Sequence, residues 1–193
     1  EHWFKSAQDA DEVVMTDTGS TDSTPHVLYS GMRIERAVIS PWRFDSGYNA
    51  ALTHVSADID VCIPLALDER LLPGWREELE RAWATGAQRF TYNYVWGTGL
   101  SFRQDRIHAR HGFMWKYPAH ETLVGPGPLA HTDVVITQPY GESNQRRAGD
   151  GPLIHLMLQE NPNDPRALYY SGRQSYYEGD WDRARHVLAR YLT

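Results

Sequence analysis

Hydrophobic and polar positions change their period several times along the chain, and each change marks an element. Trp3, Phe4 and Ala7 share one helical face, which predicts a helix over residues 1–11. Val13, Val14 and Met15 form a short strand-like run that stops at Asp17. A turn of small hydroxyl residues around Gly19 follows, and Asp22, Ser23 and Thr24 each offer a helix N-cap. Residues 25–30 read as a short helix stopped by Gly31, and 32–39 alternate as a strand. Asp45 or Ser46 caps a helix running to Val55, with Ala50, Ala51 and Leu52 placed for packing. Residues 61–67 are nearly all apolar, the pattern of a strand buried on both faces. Pro64 weakens that strand, because proline removes a ladder donor.

A turn at Pro73-Gly74 opens a helix over 75–84 with a solvated, charged side. Residues 89–96 alternate and are aromatic, a strand signal. The turn Gly97-Thr98-Gly99 returns a second strand over 100–108, and 131–138 is another. From Leu153 the pattern is helical. Asn161-Pro162-Asn163-Asp164-Pro165 interrupts it, and 166–193 then reads as a helix pair with Gly172, Gly179, Ala184 and Leu188 at small and large packing positions of a tetratricopeptide-like unit. The expected class is α/β, a sheet flanked by helices over 1–140, followed by a helical linker and helix pair over 141–193.

Composition narrows the function. The 193 residues are 41% hydrophobic, enough for a core, and the net charge of −6 argues against a general nucleic-acid binder. Cys62 is the single cysteine and lies in an apolar run, so no disulfide framework is expected and the reading is a reducing, cytoplasmic compartment. No apolar stretch approaches the roughly 20 residues needed to span a membrane. The sequence opens on Glu1 rather than Met, which reads as a fragment.

Three acidic positions carry candidate chemistry. Asp17 ends a strand that turns into a helix, and ligands of open α/β sheets sit outside such strand ends. Asp68-Glu69 breaks the 61–67 run in the same manner. His120-Glu121 follows a rigid Trp115-Lys116-Tyr117-Pro118 segment. His108 and His111 with nearby arginines read as an exposed basic hairpin. In the loop 139–152, Arg146-Arg147 could close over phosphates, though such loops are more often linkers.

The stretch V-V-M-T-D-T-G-S-T-D-S-T at 13–24 closely resembles the D-x-G-S-x-D-x-T stretch of family 2 glycosyltransferases, and the resemblance extends over nearly the whole chain. It implies a GT-A fold, a Rossmann-like mixed sheet. It also implies that Asp17, Thr18, Gly19 and Asp22 hold the nucleotide of a nucleotide-sugar, most simply a uridine one. Phe44, Asn49, Ala51 and Leu52 match the family's F-x-x-A-R-N-x-A-L, with Tyr48 standing where the family's arginine contacts the nucleotide. Asp68 and Glu69 match the last two positions of D-x-D-E, whose carboxylates hold Mn2+ or Mg2+; Ala66 replaces the first. Gln138 takes the place of a metal-binding histidine. Trp115, Pro118, His120 and Glu121 match W-x-x-P-x-H-E, which makes Glu121 the base of an inverting transfer, with His120 orienting it or touching the metal. Glu1 matches the end of a first strand that precedes the sequence in that family.

Two readings stand at this point. One is a metal-assisted inverting glycosyltransferase with an unspecified acceptor (glycan, lipid, protein or modified nucleic acid). The other is a silent GT-A module that binds a partner protein through its helical segment, favoured by Ala66, Tyr48 and Gln138.

Overall fold

A computed structural model of the chain describes residues 2–26, 31–97, 99–139 and 150–193. Helix α1 (His2–Ser6) leads into β1 (Val13–Asp17), a 3-10 turn at Thr24–His26 and β2 (Met32–Arg36). Then come α2 (Phe44–His54), β3 (Val61–Cys62), β4 (Arg70–Leu71), α3 (Trp75–Trp83), β5 (Arg89–Trp96), β6 (Leu100–Ala109), the hairpin β7 (Met114–Lys116) and β8 (Thr122–Val124), and β9 (Leu129–Gln138). Helices α4 (Asp150–Glu160), α5 (Pro165–Glu178) and α6 (Trp181–Tyr191) close the chain. The class is mixed α/β, and no helix is long and apolar enough to cross a membrane among the described residues.

Two sheets carry the architecture. β1 and β2 pair in parallel, Val13 opposite Met32 through Asp17 opposite Arg36. The larger sheet has the order β3-β6-β5-β9-β4 and is mixed: β5 runs parallel to β9 and antiparallel to β6. Alternation along β5 sends Phe90, Tyr92 and Tyr94 inward, where they meet Ile107, Val134 and Ile136, and α3 lays Trp75 and Leu79 on the same core. This is the period-2 pattern of a sheet with one covered face.

Several elements are shorter than the pattern predicts. α1 stops at Ser6, whose hydroxyl turns back to Trp3 O at 2.8 Å and accepts Leu71 N–H at 3.2 Å, a competing bond that ends the helical ladder. The expected strand 61–67 keeps ladder geometry only over Val61–Cys62, ahead of Pro64. The strand 32–39 ends at Arg36. α2 starts one residue before Asp45, with Arg43 at its N-cap; Asp45 instead accepts both N–H groups of the Arg43 fork, at 2.9 and 2.8 Å. The expected helix ahead of Gly31 is a 3-10 turn over Thr24–His26, and its continuation at 27–30 lies outside the described residues. Arg146-Arg147, Thr98 and Glu1 also lie outside them.

The C-terminal helices α5 and α6 pack with a glycine of one against a leucine of the other. A Cβ on Gly172 of α5 would stand 2.6 Å from Leu188 Cγ of α6, a contact only glycine permits. Gly179, at φ 80°, ends α5 in the left-handed conformation.

Candidate functional site

The start of β4 and the ends of β5 and β9 bring a group of polar side chains together. Tyr94 points inward from β5, and its hydroxyl stands 3.0 Å from Glu69 Oε1 and 2.8 Å from Gln138 Oε1 at the end of β9. Gln138 donates in turn to Asp68 through its amide nitrogen. Glu69 is only 4% exposed, and its other oxygen accepts the Ala66 N–H at 2.8 Å. Asp68, Glu69 and Gln138 therefore come together, with Asp68 exposed and Glu69 folded inward. Burial pushes the Tyr94 phenol up, with the neighbouring Glu69 adding to the shift, so Tyr94 serves here as a neutral hydrogen-bonding link.

A second group lies on the neighbouring strand. Arg106 of β6 donates to Tyr48 OH at 3.1 Å and to Glu121 Oε1 at 3.2 Å, with its guanidinium carbon 5.7 Å from the Tyr48 ring centroid. The Glu121 side chain is 5% exposed, so Arg106 supplies the countercharge that such burial requires. Burial alone would lower the Arg106 pKa, but Tyr48, Glu121, Tyr92 and Glu69 reverse it and raise it. Tyr92 bonds Gln104 at 2.9 Å beside this pair. Arg106 was not singled out from the sequence. Simple alternation does not reveal it, because the β5–β6 register shifts between Phe90 and Tyr92 and burial along β6 rises steadily from Gln104 to Ala109; the one general signal is that an arginine in a strand entering the core needs an anionic partner.

The segment carrying Glu121 is gripped on every side. Tyr117 (φ 84°) and His120 (φ 50°) hold left-handed backbone, strained for residues with a Cβ. Tyr117 OH donates to Asp164 at 2.8 Å, Pro118 O accepts Phe44 N–H at 3.0 Å, and Ala119 is buried against Ile154, Met157 and Ala167. Arg166 of α5 donates twice to His120 O, at 3.0 and 2.7 Å, and the His120 ring stacks on Tyr170 at 3.9 Å and 8°. The His120 ring thus faces α5, while Glu121 faces Arg106.

Asn49 is committed elsewhere. Its amide donates to Trp115 O at 2.9 Å and accepts Trp115 N–H at 2.8 Å, fastening α2 to β7, while Tyr48 stacks on the Trp115 ring at 4.6 Å. His108 corrects the exposed-hairpin expectation. It is fully buried against Phe113 and Trp115, because β6 turns it inward; His111 is exposed and meets Ala57 O at 2.8 Å.

Asp17 closes β1 at the other sheet. Oδ1 accepts Ser20 N–H at 2.9 Å, and hydrogen bonds from the Ser20 hydroxyl and amide hold the carboxyl below the usual range. Oδ2 is buried without a hydrogen-bond partner, and its nearest cation, Arg36, stands 3.8 Å away and mostly in solvent. Gly19 makes the turn at φ 119°, which a Cβ would oppose. Thr18 and Asp22 are exposed beside it, Asp22 accepting Thr24 N–H at 2.9 Å.

A divalent cation finds a thin donor set. Asp68 offers an exposed carboxylate, Gln138 turns its amide donor toward it, and no cluster of three His, Cys, Asp or Glu that could hold a metal exists among the described residues. The protein donors alone do not fit Mn2+ or Mg2+. No family model matches the chain, and no curated protein matches it.

Proposed function

We propose that the chain is an inverting glycosyltransferase of the family 2 type, with a GT-A sheet and a tetratricopeptide-like helix pair, that takes a sugar from a uridine nucleotide-sugar. The observation that carries the reading is the seating of Glu121. It is a nearly buried carboxylate, ion-paired to Arg106 and carried by a strained segment, and the Arg106 charge also acts on Glu69 and Tyr94 of the neighbouring cluster. Strain held at one carboxylate is a mark of functional sites. The D-T-G-S-T-D turn at the end of β1, with one Asp17 oxygen that has no hydrogen-bond partner, supports a nucleotide there.

In this reading Glu121 takes the proton from an acceptor hydroxyl as that oxygen bonds the anomeric carbon. The bond from that carbon to the diphosphate breaks, and its electron pair leaves with the nucleoside diphosphate. Arg106 and Tyr48 keep Glu121 aimed, and Asp17 accepts hydrogen bonds from the nucleotide. No step is routed through a metal, because the protein donors do not suffice for one.

The competing reading, a silent binding module, is favoured by Glu69, both of whose oxygens are engaged inside the fold. Thermal shift across nucleotide-sugars, followed by transfer assays on the donor that binds, separates the two. Glu121→Gln is expected to cut transfer about 10²–10⁴-fold while leaving donor affinity unaltered. Transfer at the parent rate moves the base elsewhere, and no donor binding by the parent chain leaves the silent module.

A further inference from the structure

The covered face of the five-stranded sheet runs out of the core at one end and stays apolar there. Along β5 the side chains of Phe90, Tyr92 and Tyr94 are buried, and Trp96, next in the same alternation, is 38% exposed. Trp96 stands opposite Leu100 of β6, and Tyr94 opposite Phe102, whose ring centroid lies 5.2 Å from that of Tyr94. Leu100 is 54% exposed and Phe102 40%. Trp96, Leu100 and Phe102 thus form one block on one face, with the buried Tyr94 as its fourth member. Single exposed apolar residues are ordinary, but a block of them rimmed by polar groups marks a binding surface. The polar rim is at hand. On its other side Trp96 stands opposite Gln138 of β9, and Gln138 donates to the exposed Asp68.

We propose that this block is a platform for a neutral sugar ring whose hydroxyls bond Asp68 and Gln138, and that the acceptor of the transfer described above is itself a glycan. The platform stands without the transferase reading, whereas the acceptor's identity rests on it. A pyranose ring carries C–H groups on its faces and hydroxyls on its rim. Aromatic rings take the first, and a carboxylate beside an amide takes the second, so the hydroxyls keep hydrogen bonds as they leave water. A hydrocarbon chain laid on the same block would dehydrate Asp68 and return nothing to it. An anionic headgroup would meet Asp68 and a chain of net charge −6. The polar partners are held ready. Asp68 sits in a turn closed by Glu69 N–H to Ala66 O at 2.9 Å and by Ala66 N–H to Glu69 Oε2 at 2.8 Å. Among the described residues Asp68 is bonded through Oδ2, to Gln138, which leaves Oδ1 for a ligand. Tyr94 OH holds Gln138 from the sheet side at 2.8 Å. Groups fixed in this way spare a ligand the cost of ordering them.

The test is saturation-transfer NMR and calorimetric titration with the methyl glycosides of glucose, galactose, mannose and N-acetylglucosamine, and with UDP and UDP-glucose. At least one glycoside is expected to bind the parent chain. Trp96→Ala is expected to weaken it about tenfold, as one aromatic contact is lost, and Trp96→Phe to restore most of the affinity. Asp68→Ala is expected to weaken it about tenfold as well, through a lost charge-assisted hydrogen bond. Leu100→Ser, at the most exposed position of the block, serves if Trp96→Ala does not fold, with a loss of about threefold. The platform is overturned if no glycoside and no UDP-glucose binds in a manner that these block variants weaken. Self-association of the parent chain that Trp96→Ala or Leu100→Ser abolishes also overturns it, because a second copy then covers the block. If the free glycosides do not bind while Trp96→Ala weakens UDP-glucose but not UDP, the ring belongs to the donor and the glycan acceptor is overturned. Glycoside binding that depends on Trp96, with no binding of UDP or UDP-glucose, supports the platform and overturns the uridine nucleotide-sugar reading alone.

Discussion

At the ends of β5, β6 and β9 each candidate site residue is bonded to another: Asp68 to Gln138, Gln138 and Glu69 to Tyr94, Glu121 to Arg106, Arg106 to Tyr48. At the end of β1 the picture reverses. Asp17 spends one oxygen on its own turn and keeps the other without a hydrogen-bond partner, as does the Thr16 hydroxyl one residue earlier. The first surface rests on a core in which Phe90, Tyr92, Ile107, Val134 and Ile136 are fully buried. The second rests on two strands that border a 520 Å³ slot. Were that slot sealed and empty, a cost of about 24 cal/mol per Å³ would amount to about 12 kcal/mol, as large as the whole stability of a domain. The difference teaches that the polar groups on the larger sheet hold one another in place, whereas the end of β1 is supported mainly by its own turn.

The largest test of this contrast is packing. Phe90→Ala, in the centre of the larger sheet, is expected to cost about 3–5 kcal/mol. Val14→Ala, on the slot wall, is expected to cost no more than about 1 kcal/mol, because its side chain already faces open space. Equilibrium denaturation of both variants decides the matter. Similar losses would mean that the β1–β2 pair is packed as firmly as the larger sheet.

The sequence made one side of this contrast easier to read than the other. The alternation of β5 is strong because one face is sealed, and Asp17 stands out because an apolar run ends abruptly on it. Arg106 was invisible since its meaning lies in Tyr48 and Glu121, far away along the chain. β4, β7 and β8 are two or three residues long, too short to show a period. Gly172 against Leu188 was legible because close helix packing demands a small residue opposite a large one. The role of Asn49 was not, because an amide that fastens Trp115 looks the same in sequence as one that faces a ligand.

A middle-sized effect belongs to Arg166, which ties α5 to the Glu121 segment. Its fork donates twice to His120 O, and its carbon lies 5.1 Å from the Tyr170 ring centroid and 5.7 Å from that of Tyr117. Arg166→Met is expected to cost about 1.5 kcal/mol, the lower end for charge-assisted hydrogen bonds at a half-buried site. Amide exchange should quicken at Ala119–Thr122 but not at Val13–Asp17. Arg166→Lys is expected to recover little, since a single ammonium cannot reproduce the fork. Faster exchange at both places would mean that the two surfaces are coupled.

The smallest effect is a difference in acid response. Burial holds His108 below the usual imidazole range, with Arg110 and Arg89 acting in the same direction against its hydrogen bond to Ala109 O. The unfolded chain takes up that proton near pH 6.5 and the folded chain does not. His108 therefore contributes stability that is complete above about pH 6.5 and declines as the pH falls below it. Asp17 responds in the same direction but at lower pH: Ser20 favours its ionised form, so its contribution is present above about pH 3.9 and is lost only as the pH falls through its lower folded value. Denaturation midpoints followed from pH 8 to pH 3 should fall in two stages. The first is removed by His108→Phe. The second is reduced by Asp17→Asn, with Glu12, Asp22 and Asp164, also held low, supplying the remainder. A first stage that survives in His108→Phe would place the titrating group elsewhere.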